Sequence, residues 1–254
     1  MDPYRWAWDL ETLVLVPGLS LAYLVAVRRF RASPPRVAIF FLGQLLLLAV
    51  FATPVETIAL HYLLSAHLLQ NVVLAEWAPA LCVLGLPPAL AAALTRAPGA
   101  RIATSPVVAL PVWLLTYFLW HLPPAYDAAL RHPSSLLYVE HVCYFAAGCL
   151  LWWPVLQDFP HRPPAAARAA YLFAAFLLAS PLGLLLALLP RAVYGFYEHV
   201  PRLWGLSPLA DQQAAGLTMA AEQAVVFFIV FTFYFMRFLR DEEPAIEAVT
   251  ATRR

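Results

Sequence analysis

The chain has 254 residues, 63% of them hydrophobic and 12% charged, with a mean hydropathy of +0.72, a balance that excludes a soluble domain of ordinary composition. All 16 basic residues are arginine and the formal net charge is +1. The lack of lysine excludes a retinal Schiff base, and the near-neutral charge argues against a nucleic-acid partner.

The opening MDPYRWAWDLETLVL has no basic n-region and no small-residue cleavage site, so the first apolar block is expected to remain as a helix. Apolar blocks follow at 10–27, 37–54, 64–85, 104–121, 136–156, 169–189 and 215–237. Blocks of this length predict membrane-spanning helices, because lipid offers no water to unpaired backbone groups. The expected fold is therefore all-α, a seven-transmembrane-helix bundle whose environment is the lipid bilayer. Pro17, Pro79, Pro111 and Pro181 lie inside blocks and predict kinks, whereas the pairs Pro34–Pro35, Pro87–Pro88, Pro123–Pro124 and Pro163–Pro164 fall in connections. The stretch GLPPALAAALTRAPGAR, 85–101, is too short to span and reads as an interfacial segment. Residues 1–240 read as one membrane domain and DEEPAIEAVTATRR, 241–254, as a disordered cytoplasmic tail.

Arginine placement orients the bundle. With seven spans, Arg28, Arg29, Arg31, Arg36, Arg96, Arg101, Arg162, Arg168, Arg237, Arg240, Arg253 and Arg254 share one side, against Arg5, Arg131, Arg191 and Arg202 on the other. The richer side is expected in the cytoplasm, which puts the amino end outside and the carboxyl end inside. The cysteines Cys82, Cys143 and Cys149 sit in apolar blocks without CxxC spacing and read as small core residues rather than a disulfide framework.

On this topology His61, His67, His121, His132, His141 and His199 fall on the outer side with Asp127, Glu140, Glu198 and Asp211, and only His161 is cytoplasmic. Outer loops are also where polar side chains are simply solvated, so His61, His132 and His199 need no function. His67, His121 and His141 lie at the ends of three different helices, where a bundle can bring them together. Met219 starts the last helix on the same side. Imidazole, carboxylate and thioether form a copper-type donor set, so His67, His121, His141 and Met219 are the candidate metal ligands, with Asn71 one turn inward from His67. Glu76 and Glu222 lie deeper in the membrane and should face the bundle interior, protonated, paired or beside a polar cavity. An interhelical hydrogen bond to Gln223 or Gln44 would also account for them.

The stretches SAHLLQNVVLAEWAPALCVLGLP at 65–87, WHLPPAYDAALRHPSSLLYVEHVCYFAAGCLLWWPVL at 120–156 and GLSPLADQQAAGLTM at 205–219 resemble the CtaG family of cytochrome c oxidase assembly factors, the seven-helix kind associated with caa3-type oxidases. The resemblance covers nearly the whole chain. It implies an assembly role with cytochrome c oxidase subunits as partners, copper as the cofactor or cargo, and a bacterial cytoplasmic membrane. It carries metal-ligand positions onto His67, His121, His141 and Met219, and a surrounding pattern onto Asp127, Glu140 and the Asp211–Gln212–Gln213 run. The chain also departs from the family pattern. The second histidine of HMxQH is Asn71, the methionine four residues on is Ala75, Met219 is followed by Ala220, Ala221, Glu222 and Gln223, and Glu76 replaces an apolar residue. Losing soft donors and gaining carboxylates shifts a site towards harder ions or protons. Two other readings follow: a metal or proton-coupled transporter working through Glu76 and Glu222, and a haem-binding membrane protein using paired histidines. The absence of HExxH, GxSxG or a phosphate-binding loop argues against an enzyme.

Overall fold

The structure, a computed structural model, describes the backbone of residues 2–251 and the side chains of residues 2–242. Among them there are helices and no strands. The membrane-length helices are α1 (Glu11–Phe30), α2 (Pro34–Phe51), α4 (Leu64–Gly85), α9 (Leu136–Leu156), α10 (Ala165–Leu188) and α12, which spans as Pro208–Glu242 and continues to Ala251. Between them lie α3 (Pro54–His61), α5 (Pro88–Leu94), α6 (Ala100–Ala103), α7 (Pro106–Trp120), α8 (Pro123–Arg131) and α11 (Gly195–Glu198). Six helices are thus long and apolar enough to cross a membrane, and α7 with α8 makes a seventh span if that pair, bent by 72°, is counted as one. At 1.5 Å per residue the 15 residues of α7 reach only about 22 Å, short of the roughly 30 Å hydrocarbon core. The bend falls at Leu122, where the Pro123–Pro124 pair disfavours helical geometry in the preceding residue. Of the expected tail, 241–254, the backbone continues α12 as far as Ala251, and residues 252–254 lie outside the described residues.

Two of the four expected kinks take a specific form. A π turn over Glu11–Leu15 precedes Pro17, and another over Val73–Trp77 precedes Pro79. Proline has no N–H to return to the carbonyl four residues back, and a wider turn relieves the ring clash. Helices α7 and α10 run through Pro111 and Pro181 without such a turn. The last helix begins seven residues before its apolar block. Pro208 suits a first helical position, and Ala210 N donates to Ser207 Oγ at 3.1 Å, so the polar Asp211–Gln212–Gln213 run is helical.

Helix α4 is the most buried span and lies at the centre, against α2, α9 and α12. Its buried face carries Leu64, His67, Leu68, Asn71, Val72, Ala75 and Glu76. Helices α10 and α12 pack over the longest stretch, through glycines. A Cβ on Gly216 would stand 2.5 Å from Gly183 O, and one on Gly183 3.0 Å from Gly216 O, so the two backbones meet directly. The outward faces present Leu21, Leu45, Val107, Leu115, Leu184 and Phe228, apolar surface suited to lipid.

Candidate functional site

Three of the histidines meet at one end of the bundle. His67 enters from the first turn of α4, His121 caps α7, and His141 stands in the second turn of α9; all three are buried. The rings of His67 and His141 are neighbours, 6.4 Å apart between centroids. Tyr126 of α8 lies between His67 and His121, at 5.1 and 6.1 Å from the two rings.

Hydrogen bonding holds each ring through Nδ1. His121 Nδ1 lies 2.7 Å from Tyr117 O, a carbonyl that can only accept, so Nδ1 carries the hydrogen. His141 Nδ1 faces Glu11 Oε1 at 3.1 Å, a carboxylate partner of the kind that orients metal-ligating imidazoles. His67 Nδ1 lies 3.1 Å from Tyr197 Oη. Burial holds the Tyr197 phenol well above its usual range, so it keeps its proton, and it donates that proton to Ala59 O at 2.6 Å. It is placed to accept from His67, whose Nδ1 also stands 3.0 Å from Tyr126 Oη, a second hydroxyl able to donate to it. In all three histidines Nε2 is buried and without a hydrogen-bond partner, and in His121 it is a bare lone pair.

Three unpartnered ring nitrogens in a dry interior are costly unless something uses them. They are not assembled into one pocket, however. Among the described residues no group of three His, Cys, Asp or Glu side chains stands close enough to hold a metal ion. His121 shares a void with Met219, Asn71, Glu76, Tyr117 and Tyr144 that is too small to admit water. His141 lines a separate cleft of about 260 Å³ with Glu11, Leu47, Phe51 and Leu74, between α1 and the bundle. The structure thus pairs His67 with His141, and His121 with Met219 and Asn71.

The remaining candidate residues divide into two kinds. Glu140 is fully buried and accepts from Asn71 Nδ2 at 3.4 Å, its Oε2 without a partner. Asp127 and Asp211, by contrast, hold the framework. Asp127 pairs with Arg131 at 3.2 Å and accepts Phe196 N at 3.2 Å, tying α8 to α11. Asp211 accepts the amides of Leu64 and Ser65 at 2.8 and 3.0 Å and pairs with Arg202 at 3.1 Å. Gln212 fixes the loop before α11 by accepting Val193 N and donating to the Leu186 and Arg191 carbonyls.

Deeper in the bundle, Glu76 lies within the π turn of α4 and is fully buried. It accepts from Gln223 Nε2 at 2.8 Å, and Gln223 also reaches Tyr117 Oη at 3.1 Å. Glu222 is half-buried and accepts from Trp77 Nε1 at 2.7 Å. Its other oxygen and Glu76 Oε2 are buried without a hydrogen-bond partner among the described residues.

Sequence reasoning passed over Glu11, Glu56, Gln70, Tyr126 and Tyr197. Glu56, in α3 outside the spans, is buried and accepts from Gln70 Nε2, which also donates to Val50 O at 3.2 Å. Burial pushes its carboxyl from 4.5 up to about 8, with Asp9 and Glu11 adding to the rise and the Gln70 bond opposing it. The folded state therefore holds a proton that the unfolded state releases above pH 4.5. Stability from this group is complete below 4.5 and is lost as pH rises through about 8, at up to about 1.4 kcal/mol per unit. The thermal midpoint in detergent should fall from pH 5 to pH 8, and Glu56→Gln should flatten that slope while leaving the midpoint at pH 5 within a few degrees.

The comparisons with known proteins bear on this same end of the bundle. Residues 21–241 match the cytochrome c oxidase caa3 assembly factor family, Caa3_CtaG. The chain belongs to that family. The match takes in every membrane span except the first turns of α1, and all four candidate ligands of this Caa3_CtaG chain. Uncharacterised proteins of Mycobacterium bovis and Mycobacterium tuberculosis are each 24% identical over 238 residues, covering 82% of this chain. The chain spans 36% of the length of these relatives. No solved structure matches it significantly.

Proposed function

We propose that this chain supports assembly of a caa3-type cytochrome c oxidase by holding copper at the histidine end of its bundle, on the outer face of a bacterial cytoplasmic membrane. Family membership supports the assembly role and a non-catalytic one. The observation that carries the copper reading is the set of three buried, unpartnered Nε2 atoms, each on a ring held by a hydrogen bond at Nδ1. The arginine asymmetry of the sequence supports the orientation.

The donor set fits cuprous copper, which accepts few ligands and favours soft or borderline ones. His67 and His141 are the first pair. Two imidazoles binding one ion through Nε2 at about 2 Å each place their ring centres roughly 6 Å apart, near the 6.4 Å separation here. His121 and Met219 share a separate void and would join them only on a rearrangement of the bundle end. Glu11 orients His141, Tyr197 orients His67, and the apolar walls exclude water. When bound, copper would be the cargo passed on to an oxidase subunit.

The cleft beside His141, about 260 Å³, is smaller than a porphyrin, which weighs against haem there. The carrier reading has less support, because Glu76 and Glu222 are bonded to Gln223 and Trp77 rather than lining an open path.

Copper content of protein purified from copper-supplemented cells, followed by cuprous titration against a chelator, tests the proposal. About one copper per chain is expected, weakened by roughly tenfold or more in His67→Ala and His141→Ala. Asn71→His, which adds an imidazole facing the His121 and Met219 void, should strengthen it. Unchanged affinity in all three variants would defeat the assignment.

A further inference from the structure

At the arginine-rich end, opposite the histidines, a cavity of about 750 Å³ opens between the end of α9, the start of α10 and the last turns of the α12 span. Its inner wall is apolar, formed by Leu84, Leu156, Ile229, Val230 and Phe233. Its rim is charged. Arg162 and Arg237 stand there, both exposed, and among the described residues neither has a carboxylate within ion-pair distance.

The acidic residues at this cavity do not neutralise that pair. Asp158 is bound by Arg168, whose guanidinium also donates to Val155 O at 2.7 Å and Pro163 O at 3.1 Å. Tyr234 stacks under Arg168 at 5.4 Å and donates to Val155 O at 2.5 Å. These contacts build a rigid wall in which one arginine and one aspartate cancel. Asp241 faces two arginines, which leaves a net positive rim over an apolar floor.

Depth selects the ligand. The cavity lies where α9 ends and α10 begins, so its floor is level with hydrocarbon and its rim with the headgroups. A basic rim over an apolar slot at that level suits an anionic phospholipid, with the phosphate between Arg162 and Arg237 and an acyl chain along Ile229 and Phe233. We infer that this cavity is a binding site for one anionic phospholipid, which braces the α9–α10 connection against the last helix. The inference is independent of copper binding and of which face this end occupies.

Native mass spectrometry of the full chain, released from nanodiscs of phosphatidylcholine with phosphatidylglycerol, provides the test. One phosphatidylglycerol should be retained in preference to phosphatidylcholine, and added phosphatidylglycerol should raise the thermal midpoint in detergent. Arg162→Gln with Arg237→Gln should lower retention about tenfold or more, whereas Arg28→Gln with Arg29→Gln, at the same end, should not. Val230→Trp, which fills the floor and keeps both arginines, should also displace the lipid; this variant keeps the inference testable if the double arginine variant folds poorly. Equal loss in the Arg28 and Arg29 variant would mean diffuse surface attraction, and displacement by inorganic phosphate alone would mean a simple anion site. Either result, or retention of phosphatidylcholine and phosphatidylglycerol alike, overturns the inference.

Discussion

Replacing Gly148 with valine is expected to prevent accumulation of folded protein, and replacing it with alanine to lower the thermal midpoint by more than any other glycine-to-alanine change in the bundle. Pro79 lacks the N–H that would close the α-helical bond to the Ala75 carbonyl, which lies in the π turn on the buried side of α4. Helix α9 approaches it through Gly148. A Cβ there would stand 2.3 Å from Ala75 O, 2.7 Å from Pro79 Cγ and 2.9 Å from Ala75 C. Two of these atoms are backbone and the third belongs to a locked ring, so none can rotate away. Ordinary overpacking costs about 1–3 kcal/mol, and a clash with rigid atoms lies at or beyond the top of that range. Gly43→Ala is the comparison: its nearest atom, Cys82 Sγ at 3.0 Å, belongs to a side chain that can turn, so a much smaller loss is expected. Similar midpoints for the two variants would refute the account of the α4–α9 contact.

The same contact shows what the sequence made legible. Pro79 inside an apolar block announces a break in α4, but nothing local says that the break takes the form of a π turn with Gly148 against it. Span positions were readable because length and apolarity alone decide whether a segment crosses hydrocarbon. The start of α12 was not, since Asp211, Gln212 and Gln213 lower the local hydropathy although Pro208 and Ser207 begin a helix there. The candidate site was half legible. His67, His121 and His141 stand out as imidazoles at helix ends in an apolar chain. Their second partners, Glu11, Tyr117 and Tyr197, could not be assigned because the pairings with Glu11 and Tyr197 join residues 130 apart in the chain. One signal was available for Glu11, an acidic residue at the very start of an apolar block. Asp211 was ambiguous for a related reason, because a carboxylate beside candidate ligands looks the same in sequence whether it serves a ligand or a helix end.

That distinction makes Asp211 the site of the other large expected effect. Helix α4 has Leu63 at its N-cap, with no side chain able to cap it, so the amides of Leu64 and Ser65 need an acceptor from elsewhere. Asp211 supplies it from the first turn of α12, accepting both amides and the Ser65 hydroxyl at 2.7 Å while paired to Arg202, with no exposure of its own. A carboxylate at a helix N-terminus is favoured by the helix dipole as well as by its hydrogen bonds. Asp211→Ala would leave two buried amides without acceptors and the Arg202 guanidinium without its counter-charge, a loss of roughly 3–5 kcal/mol for the broken buried pair alone. His67 lies one turn further along α4, so fraying of that first turn would also separate it from Tyr197 and His141. Asp211→Ala should therefore lower the thermal midpoint steeply and weaken cuprous binding in whatever protein remains folded. Asp211→Asn, which keeps an acceptor oxygen and loses the charge, should fall between wild type and Asp211→Ala in both measurements. Arg202→Ala should cost less than Asp211→Ala, because it leaves both amides bonded. If Asp211→Ala weakened copper binding with the thermal midpoint unchanged, the carboxylate would belong to the metal site and not to the helix end.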